Sequence, residues 1–328
     1  MNWTYLIDHG SIEAMTTAQP PAGLFVPLIT PFTADGELDQ RALESLACRV
    51  LDAGADGLVA LGTTAEAPTL TDAERTAVLD ICARVCGDRG AALIAGAGGN
   101  DTRRSAQALA GLAAWPEVSA ALVVVPYYNR PGEAGTLAHF RALAQGSPVP
   151  LVIYNIPYRT GQQVSWPVMR ELAALPQVAG VKHSVGAVDA DTVAMMAGRP
   201  DGFSVLAGDD LYASPLLALG AAGAVLASAH VCTDRFAELV RAWRRGDVAV
   251  ARPLGHRLAG LSAALFAEPN PVVIKAVLHE LGHIPCPAVR LPLVPARPAS
   301  VRAALRAATA EPTDPAPPGR AQPALRSA

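Results

Sequence analysis

Residues 57–95 read GLVALGTTAEAPTLTDAERTAVLDICARVCGDRGAALIA. An apolar run of strand length, 57–61, is followed by a polar loop, by a helix-like stretch that opens on Thr71, and by a second apolar run at 92–95. Threonine is a favoured N-cap residue, so Thr71 marks the expected helix start. Because neither apolar run alternates with polar residues, both are typical of strands covered on both faces, as in a parallel sheet. The segment predicts one β-α-β unit.

The same unit recurs along the chain, with polar-started helical stretches such as 39–53, 101–114 and 189–197. Eight units match a (β/α)8 TIM barrel, for which about 250 residues are typical. A doubly wound open sheet is the alternative, because periodicity alone does not show closure. The predicted fold class is α/β, a (β/α)8 TIM barrel with a C-terminal helical extension. Its eight expected strands are 24–29, 57–61, 92–95, 120–125, 151–154, 178–181, 203–206 and 224–227.

The character of the chain changes after residue 232, where only helical patterns follow, at 234–245, 248–266, 271–281 and 300–308. The last residues are rich in Pro, Ala and Arg and contain almost no large apolar side chains, which is typical of disorder. We therefore expect four parts: a flexible N-terminal extension (1–21), the barrel core (22–232), the last barrel helix with a helical cap (233–310), and a disordered tail (311–328).

Composition excludes several classes of protein. Of the 328 residues, 51% are hydrophobic and 17% are charged, which excludes a disordered, collagen-like or coiled-coil chain. The 26 basic and 29 acidic residues give a net charge of -3, so no overall positive field would hold nucleic acid or an anionic membrane. We expect neither as a partner.

Cysteine usage indicates a reducing compartment. There are five cysteines, an odd number with no CxxC pair, and residues 1–19 lack the pattern of a secretory signal. We expect a cytoplasmic protein with buried free thiols, Cys82 and Cys86 among them. The uncharged residues 211–232 could in principle cross a bilayer, but Pro215 and two glycines favour a helix, a turn and a short strand instead.

Lysine is almost absent from this chain. The 26 basic residues include only two lysines, Lys182 and Lys275. Unlike arginine, lysine can lose its proton and attack a carbonyl carbon as an amine. Lys182 ends the sixth apolar run, where burial would lower its pKa; the alternative is a strand-end lysine that reaches water. Lys275 lies in the helical cap, and we expect it at the surface.

Hydroxyl groups and charges cluster after other strands, at the barrel end where βα loops carry catalytic residues. Thr63 and Thr64 offer hydroxyls and backbone N–H groups to an anion. Tyr128 and Tyr154 could move protons, and Arg159 could pair with a carboxylate through two hydrogen bonds. Together they would suit a substrate that carries a carbonyl and a carboxylate.

Five segments, in this order and spacing, resemble the dihydrodipicolinate synthase and N-acetylneuraminate lyase family of pyruvate-dependent class I aldolases. The resemblance covers roughly residues 22–310. The segments are GTTAEAPTL (62–70), VPYYNRP (125–131), YNIPYRTG (154–161), GVK (180–182) and AGDD (207–210).

The resemblance implies a homotetrameric TIM barrel, or a homodimer, that acts on small molecules without a metal or organic cofactor. Lys182 would form a Schiff base with pyruvate, and Tyr154 would donate and accept protons. Thr63 and Tyr128, the latter from a neighbouring subunit, would complete a proton relay. The substrate-binding residues would be Thr64, which holds the pyruvate carboxylate together with Thr63, and Arg159, Gly208 and Val225.

Arg159 points to the second substrate, since it is similar to the arginine that binds aspartate semialdehyde in the synthases of this family. The expected reaction condenses pyruvate with that aldehyde to 4-hydroxy-tetrahydrodipicolinate. One alternative is an aldolase or lyase of the same family that acts on a 2-keto-3-deoxy sugar acid or another aldehyde. A more distant alternative is a non-catalytic barrel that binds a keto acid.

Two positions depart from the family pattern. Ala65 stands where glycine is usual, and its methyl group would crowd the carboxylate cradle if the backbone there needed glycine's freedom. His183 stands where glutamate is common, and indicates either a change behind the site or a different aldehyde.

Three other motifs resemble functional signatures. Residues 279–283 match the HExxH pattern of zinc proteases, but Gly282 and Pro285 predict that the helix ends before His283. Gly96–Gly99 lacks the third glycine of a dinucleotide loop and predicts a tight βα turn. Asp209 and Asp210 are adjacent, an arrangement that seldom chelates one metal ion, and we expect no metal site.

Overall fold

The computed structural model of this chain describes residues 20–309. Within them eight parallel strands form a closed barrel in chain order, with β1 paired to β8, so the predicted TIM barrel is confirmed and the open sheet is excluded. The strands are β1 (Gly23–Pro27), β2 (Gly57–Ala60), β3 (Ala92–Gly96), β4 (Val118–Val124), β5 (Leu151–Asn155), β6 (Val178–His183), β7 (Ser204–Ala207) and β8 (Gly223–Val225).

Twelve α-helices and five short 3₁₀ turns complete the described chain. The turns are Thr63–Ala65, Ala67–Thr69, Leu112–Ala114, Asp210–Tyr212 and Ala227–His230. The helices are α1 (Gln40–Asp52), α2 (Asp72–Arg89), α3 (Thr102–Gly111), α4 (Gly132–Gly146), α5 (Pro157–Thr160), α6 (Trp166–Ala173), α7 (Ala190–Gly198), α8 (Ala213–Ala218), α9 (Thr233–Arg245), α10 (Val248–Leu265), α11 (Val272–Glu280) and α12 (Pro298–Thr309).

The barrel helices begin where the sequence places polar caps. The side chains of Asp39, Thr71, Asp101 and Asp189 each accept a hydrogen bond from a backbone N–H in the first turn of α1, α2, α3 and α7, respectively. These bonds satisfy donors that have no partner within the helix. Glu74 completes a capping box with Thr71: the Thr71 side chain accepts from the Glu74 N–H, and the Glu74 side chain accepts from the Thr71 N–H. Helix α2 therefore begins where the sequence predicts.

Apolar side chains fill the barrel interior, so the barrel is a packed core rather than a channel. Tyr154 belongs to this interior cluster, close to the carboxyl ends of the strands. A larger cluster joins the outer face of the strands to the helices. The interior cluster consists of Phe25, Val59, Ile94, Ala120, Leu122, Val152, Tyr154, Ile156, Leu206 and Val225.

The helices after the barrel pack against it as an added layer. Helix α10 contacts α8, α9 and α12, and α11 packs on the turn that follows β8. Residues 211–232 contain α8 and β8, as predicted, and none of the described helices is both long and apolar enough to cross a membrane. Cys82 and Cys86 are buried free thiols, also as predicted. Our boundary at residue 232 stays a prediction, and the expected extension and tail lie almost wholly outside the described residues.

Candidate active site

One pocket opens at the carboxyl ends of the barrel strands. Seven of the eight predicted site residues line it, and only Tyr128 does not. Six further residues complete its wall. Four of them come from the helical cap and from the turns after β7 and β8, namely Phe266, Asn270, Asp210 and Ala227, and the other two are Pro27 and Tyr158. Residues distant in the sequence thus converge because parallel strands end at the same face of the barrel.

Lys182 lies at the centre of the pocket wall. It lies on β6 beside Tyr154 of β5, and only 6% of its surface is exposed. Its Nζ lies 4.1 Å from the centroid of the Tyr154 ring. Burial lowers the pKa of Lys182 to about 8, while the negative charge of Asp210 opposes this fall and the positive charge of Arg159 adds to it. The amine is therefore much closer to its nucleophilic form than an exposed lysine is.

Tyr154 keeps its proton under the same conditions. Burial raises the pKa of its phenol to about 12, and the nearby charge of Arg159 and the neighbouring Thr63 side chain offset only part of that rise. A protonated phenol against a partly neutral amine forms an acid next to a base. This pair can exchange protons with a substrate held between them.

The turn Thr63–Ala65 forms another part of the wall. The Thr64 hydroxyl is buried and accepts a hydrogen bond from Asn270 Nδ2 at 2.9 Å. Ala65 O accepts one from the Thr30 hydroxyl at 2.7 Å. Such a turn, held from both sides, can present backbone N–H groups and hydroxyls to an anion.

Ala65 fits without strain. The left-handed backbone conformation that favours glycine occurs at Leu61 and Glu66, with φ of 55° and 53°, and not at Ala65. Ala65 lies inside the 3₁₀ turn and is buried. The methyl group of Ala65 is therefore compatible with the backbone of this turn.

Gly208 makes room for the Lys182 side chain. A Cβ atom at this position would lie 2.5 Å from Lys182 Cγ, 2.8 Å from Lys182 Cε and 2.2 Å from Ser184 Oγ. These distances are far below van der Waals contact. Any larger residue here would displace the lysine, so this glycine is required for space.

Arg159 lies on α5, directly after β5. Its Cζ lies 5.8 Å from the centroid of the Tyr158 ring, and within residues 20–309 it forms no ion pair. A guanidinium that lines a pocket without an acidic partner can bind an anion.

Asp210 and Asn270 belong to the site, although we did not predict this role for them. Asp210 is buried, its Oδ1 accepts a hydrogen bond from Ser228 N at 2.6 Å, and burial raises its pKa to about 6. The signal for Asp210 was its place in the strand-end segment AGDD (207–210) of the family resemblance, from which we assigned Gly208 but not Asp210 to the site. No comparable signal marked Asn270, because it lies in the cap.

The described residues contain no group of three His, Cys, Asp or Glu side chains that could hold a metal ion.

Tyr128 lies apart from the pocket. It is 89% exposed, and its φ is 69°, which is unusual for a bulky residue. The loop after β4 thus projects this tyrosine away from the body of the chain.

His183 points away from the pocket, as expected for the residue next to Lys182 on a strand. Thr192 Oγ1 donates to Asp189 Oδ1 at 2.7 Å and lies 2.9 Å from His183 Nε2, so the ring donates to Thr192. Burial lowers the pKa of His183 to about 4 and keeps the ring neutral. This departure from the family pattern therefore lies behind the strand, not in the pocket.

Lys275 contradicts our expectation of a surface residue. Its side chain is fully buried in the cap, and Nζ donates to Glu66 Oε1 at 2.7 Å. The carboxylate compensates for burying the charge, a partner that local sequence did not reveal.

The predicted helix end is correct: α11 ends at Glu280, before His283, so the two histidines of the HExxH pattern do not share one helix.

Comparison with known proteins identifies the family. The profile of the Dihydrodipicolinate synthetase family matches residues 20–310. The 4-hydroxy-tetrahydrodipicolinate synthase of Synechococcus elongatus is 40% identical over 299 residues, which cover 90% of this chain and 98% of the relative. The enzyme of the same name from Moorella thermoacetica is 41% identical over 271 residues, or 83% and 91% of the two chains.

A solved structure agrees with this match. The dihydrodipicolinate synthase of Acinetobacter baumannii, crystallised with pyruvate, superposes with a TM-score of 0.83 at 34% identity, over 88% of this chain and 98% of that one. The resemblance seen in the five sequence segments is thereby confirmed, and the chain belongs to the dihydrodipicolinate synthetase family.

Proposed function

We propose that this protein is a 4-hydroxy-tetrahydrodipicolinate synthase, which condenses pyruvate with aspartate semialdehyde. The observation that carries the proposal is the buried Lys182 amine, with a pKa of about 8, against the Tyr154 ring in the strand-end pocket. The relatives named above carry this activity in their names, and one of them was crystallised with pyruvate.

Lys182 starts the reaction as a nucleophile. Its nitrogen attacks the ketone carbon of pyruvate, a C–N bond forms, and the carbonyl oxygen leaves as water after it has gained two protons. Tyr154 donates and takes back protons, and Thr63 links Tyr154 to the relay. Thr63 and Thr64 hold the pyruvate carboxylate, and Gly208 and Val225 shape the space beside the lysine. The product of this stage is a protonated imine.

The imine then becomes the carbon nucleophile. Loss of a methyl proton gives an enamine, whose carbon attacks the aldehyde carbon of the semialdehyde, while the aldehyde oxygen takes up a proton. The amine of the semialdehyde next attacks the imine carbon, closes the ring and releases Lys182 as a free amine. The sequence balances without a metal or an organic cofactor, so we propose that none takes part.

Arg159 is our candidate for the second carboxylate. It lines the pocket on the side of β5 and has no acidic partner among the described residues. A bidentate pair with the carboxylate of aspartate semialdehyde would orient the aldehyde toward the enamine.

We also propose that the chain works as a homotetramer or a homodimer, in which Tyr128 completes the proton relay of a neighbouring subunit. Its 89% exposure and its left-handed backbone support this role, because both place a hydroxyl outside its own pocket. A cytoplasmic location, suggested by the five cysteines, stays a prediction.

Pyruvate with borohydride should add a pyruvate-derived mass to Lys182, measured by peptide mass spectrometry. Lys275 is an internal control, since it is the only other lysine and is buried against Glu66. We expect no label without pyruvate or in Lys182→Arg. An unlabelled wild-type Lys182 would refute every Schiff-base mechanism, and pyruvate binding that persists in Lys182→Arg without turnover would favour the non-catalytic alternative.

The rate of this labelling should follow the ionisation of Lys182. The pKa lies at about 8 rather than 10.5, so the free amine increases as pH rises toward 8 and is nearly complete above it. At low pyruvate, the initial rate should rise about tenfold per pH unit below that value and then level off. Asp210→Asn should move the plateau to lower pH, because the Asp210 carboxylate raises the pKa of Lys182. A rate that keeps rising beyond about pH 10 would contradict the lowered pKa.

Arg159→Met should raise the KM for aspartate semialdehyde by about 10- to 100-fold, the equivalent of one lost charge-assisted contact. The KM for pyruvate should change far less. Arg141→Met is the matched control, because Arg141 pairs with Glu171 on the exposed surface. Equal semialdehyde kinetics in Arg159→Met and wild type would remove Arg159 from the site. If the wild type is labelled by pyruvate but does not turn over the semialdehyde, the sugar-acid aldolase is favoured.

Subunits with complementary defects should restore each other. Lys182→Arg and Tyr128→Phe chains, each impaired alone, are co-expressed with different tags and purified as hybrids. If Tyr128 acts across an interface, some sites in a hybrid contain both native residues, and activity returns. Hybrids that are no more active than the separate variants would place Tyr128 in its own subunit's site or outside catalysis.

A further inference from the structure

The described chain contains one fully buried ion pair, and it lies beside the pocket rather than in it. Lys275 Nζ, on α11 of the cap, donates to Glu66 Oε1 at 2.7 Å, and the two side chains are 0% and 1% exposed. The other carboxylate oxygen of Glu66 accepts a hydrogen bond from Arg290 N at 2.9 Å. Both oxygens of Glu66 are thus bound by residues more than 200 positions away in the sequence.

Glu66 directly follows the turn Thr63–Ala65. Its own backbone is left-handed, with φ 53° and ψ 32°, and its N–H bonds back to Thr63 O at 3.2 Å. A residue with a side chain rarely adopts this conformation unless the surrounding structure holds it there. The contacts of its carboxylate with the cap supply such a hold.

The turn has two more attachments. Asn270, just before α11, donates to the Thr64 hydroxyl at 2.9 Å. On the barrel side, the Thr30 hydroxyl donates to Ala65 O at 2.7 Å. The cap therefore binds the Thr64 hydroxyl within the turn and the Glu66 carboxylate at its end. The barrel binds the turn through the carbonyl group of Ala65.

The cap segment is itself firmly held. The Arg290 side chain donates to Thr69 O at 2.9 Å, forms an ion pair with Glu74 on α2, and lies 4.2 Å from the centroid of the Phe32 ring. Lys275 Nζ lies 4.1 Å from the centroid of that same ring. A rigid support of this kind can fix the turn to which it is attached.

We propose that Glu66 and Lys275 are positioning residues for the substrate carboxylate: the pair locks the turn Thr63–Ala65 so that its hydroxyl and N–H groups face the site where pyruvate binds. This inference rests on the proposed function. Small displacements of groups that orient a substrate weaken binding strongly, so the helical cap would set the affinity for pyruvate.

The test uses Lys275→Met and the double variant Glu66→Gln/Lys275→Met. The single variant leaves the buried Glu66 carboxylate without its charged partner. The double variant removes both charges and should fold even if the single variant does not. Half-maximal borohydride trapping of Lys182 should need about tenfold more pyruvate in both variants. The kcat at saturating substrates should fall less than about threefold, because the loss is in binding and not in the reaction step.

A purely structural role would give a different pattern. In that case the pyruvate requirement would follow the thermal midpoint and return toward the wild-type value in the double variant. Asp56→Asn is the matched control. Asp56 directly precedes β2, at the end of the barrel opposite the pocket, and its Oδ2 accepts a hydrogen bond from Leu24 N at 2.7 Å. This variant should lower the thermal midpoint and leave the pyruvate requirement unchanged.

Two outcomes overturn the inference, and they are distinguishable. If wild-type Lys182 is trapped and the double variant needs no more pyruvate than wild type, or if Asp56→Asn needs equally more, the positioning role is wrong while the proposed function stands. If wild-type Lys182 is not trapped at all, the proposed function falls and the inference falls with it.

Discussion

The site depends on keeping one amine away from water. Lys182 is surrounded by the barrel interior, the Tyr154 ring and the loops at the strand ends, so its charged form loses hydration and its pKa falls to about 8. Other features of the pocket follow from this constraint. Gly208 leaves room for the lysine stem, and Asp210, close enough to act on the charge, keeps the pKa from falling further.

The chain has two lysines, and the structure treats their charges differently. Burial lowers the pKa of both amines, with nearby negative charges opposing the fall. Lys275 donates to a carboxylate at 2.7 Å, which stabilises its ammonium form. Each amine lies 4.1 Å from the centroid of an aromatic ring, but Lys182 forms no ion pair within the described residues. A direct partner makes one lysine structural, and the lack of one leaves the other able to lose its proton.

Local sequence was enough for the barrel and for much of the pocket. The apolar runs near residues 57 and 92 and the cap at Thr71 act over a few residues, so they can be read directly. Lys182, Tyr154 and Arg159 could be grouped because parallel strands and their loops meet at one end of a barrel.

Asn270 and the partner of Lys275 could not be predicted from local sequence, because their contacts depend on how the cap folds back over 200 residues of chain. A buried lysine and an exposed one share the same helical pattern until the carboxylate opposite is known. The position of Ala65 was equally hidden, since only the backbone angles show that the left-handed residue is the next one, Glu66.

The two halves of the proposed chemistry are held by different parts of the molecule. Strands β5 and β6 present Tyr154 and Lys182, and a closed barrel gives those strands little freedom to move. The turn at Thr64 lies in a βα loop, which the barrel alone holds less firmly. The cap supplies the missing rigidity through Asn270 and through the buried Glu66 carboxylate. Because reacting groups must meet within a fraction of an ångström, a loop that binds the substrate needs a support as firm as the strands. In the proposed reaction the helices after the barrel would therefore belong to the catalytic architecture, although within residues 233–309 only Phe266 and Asn270 line the pocket itself.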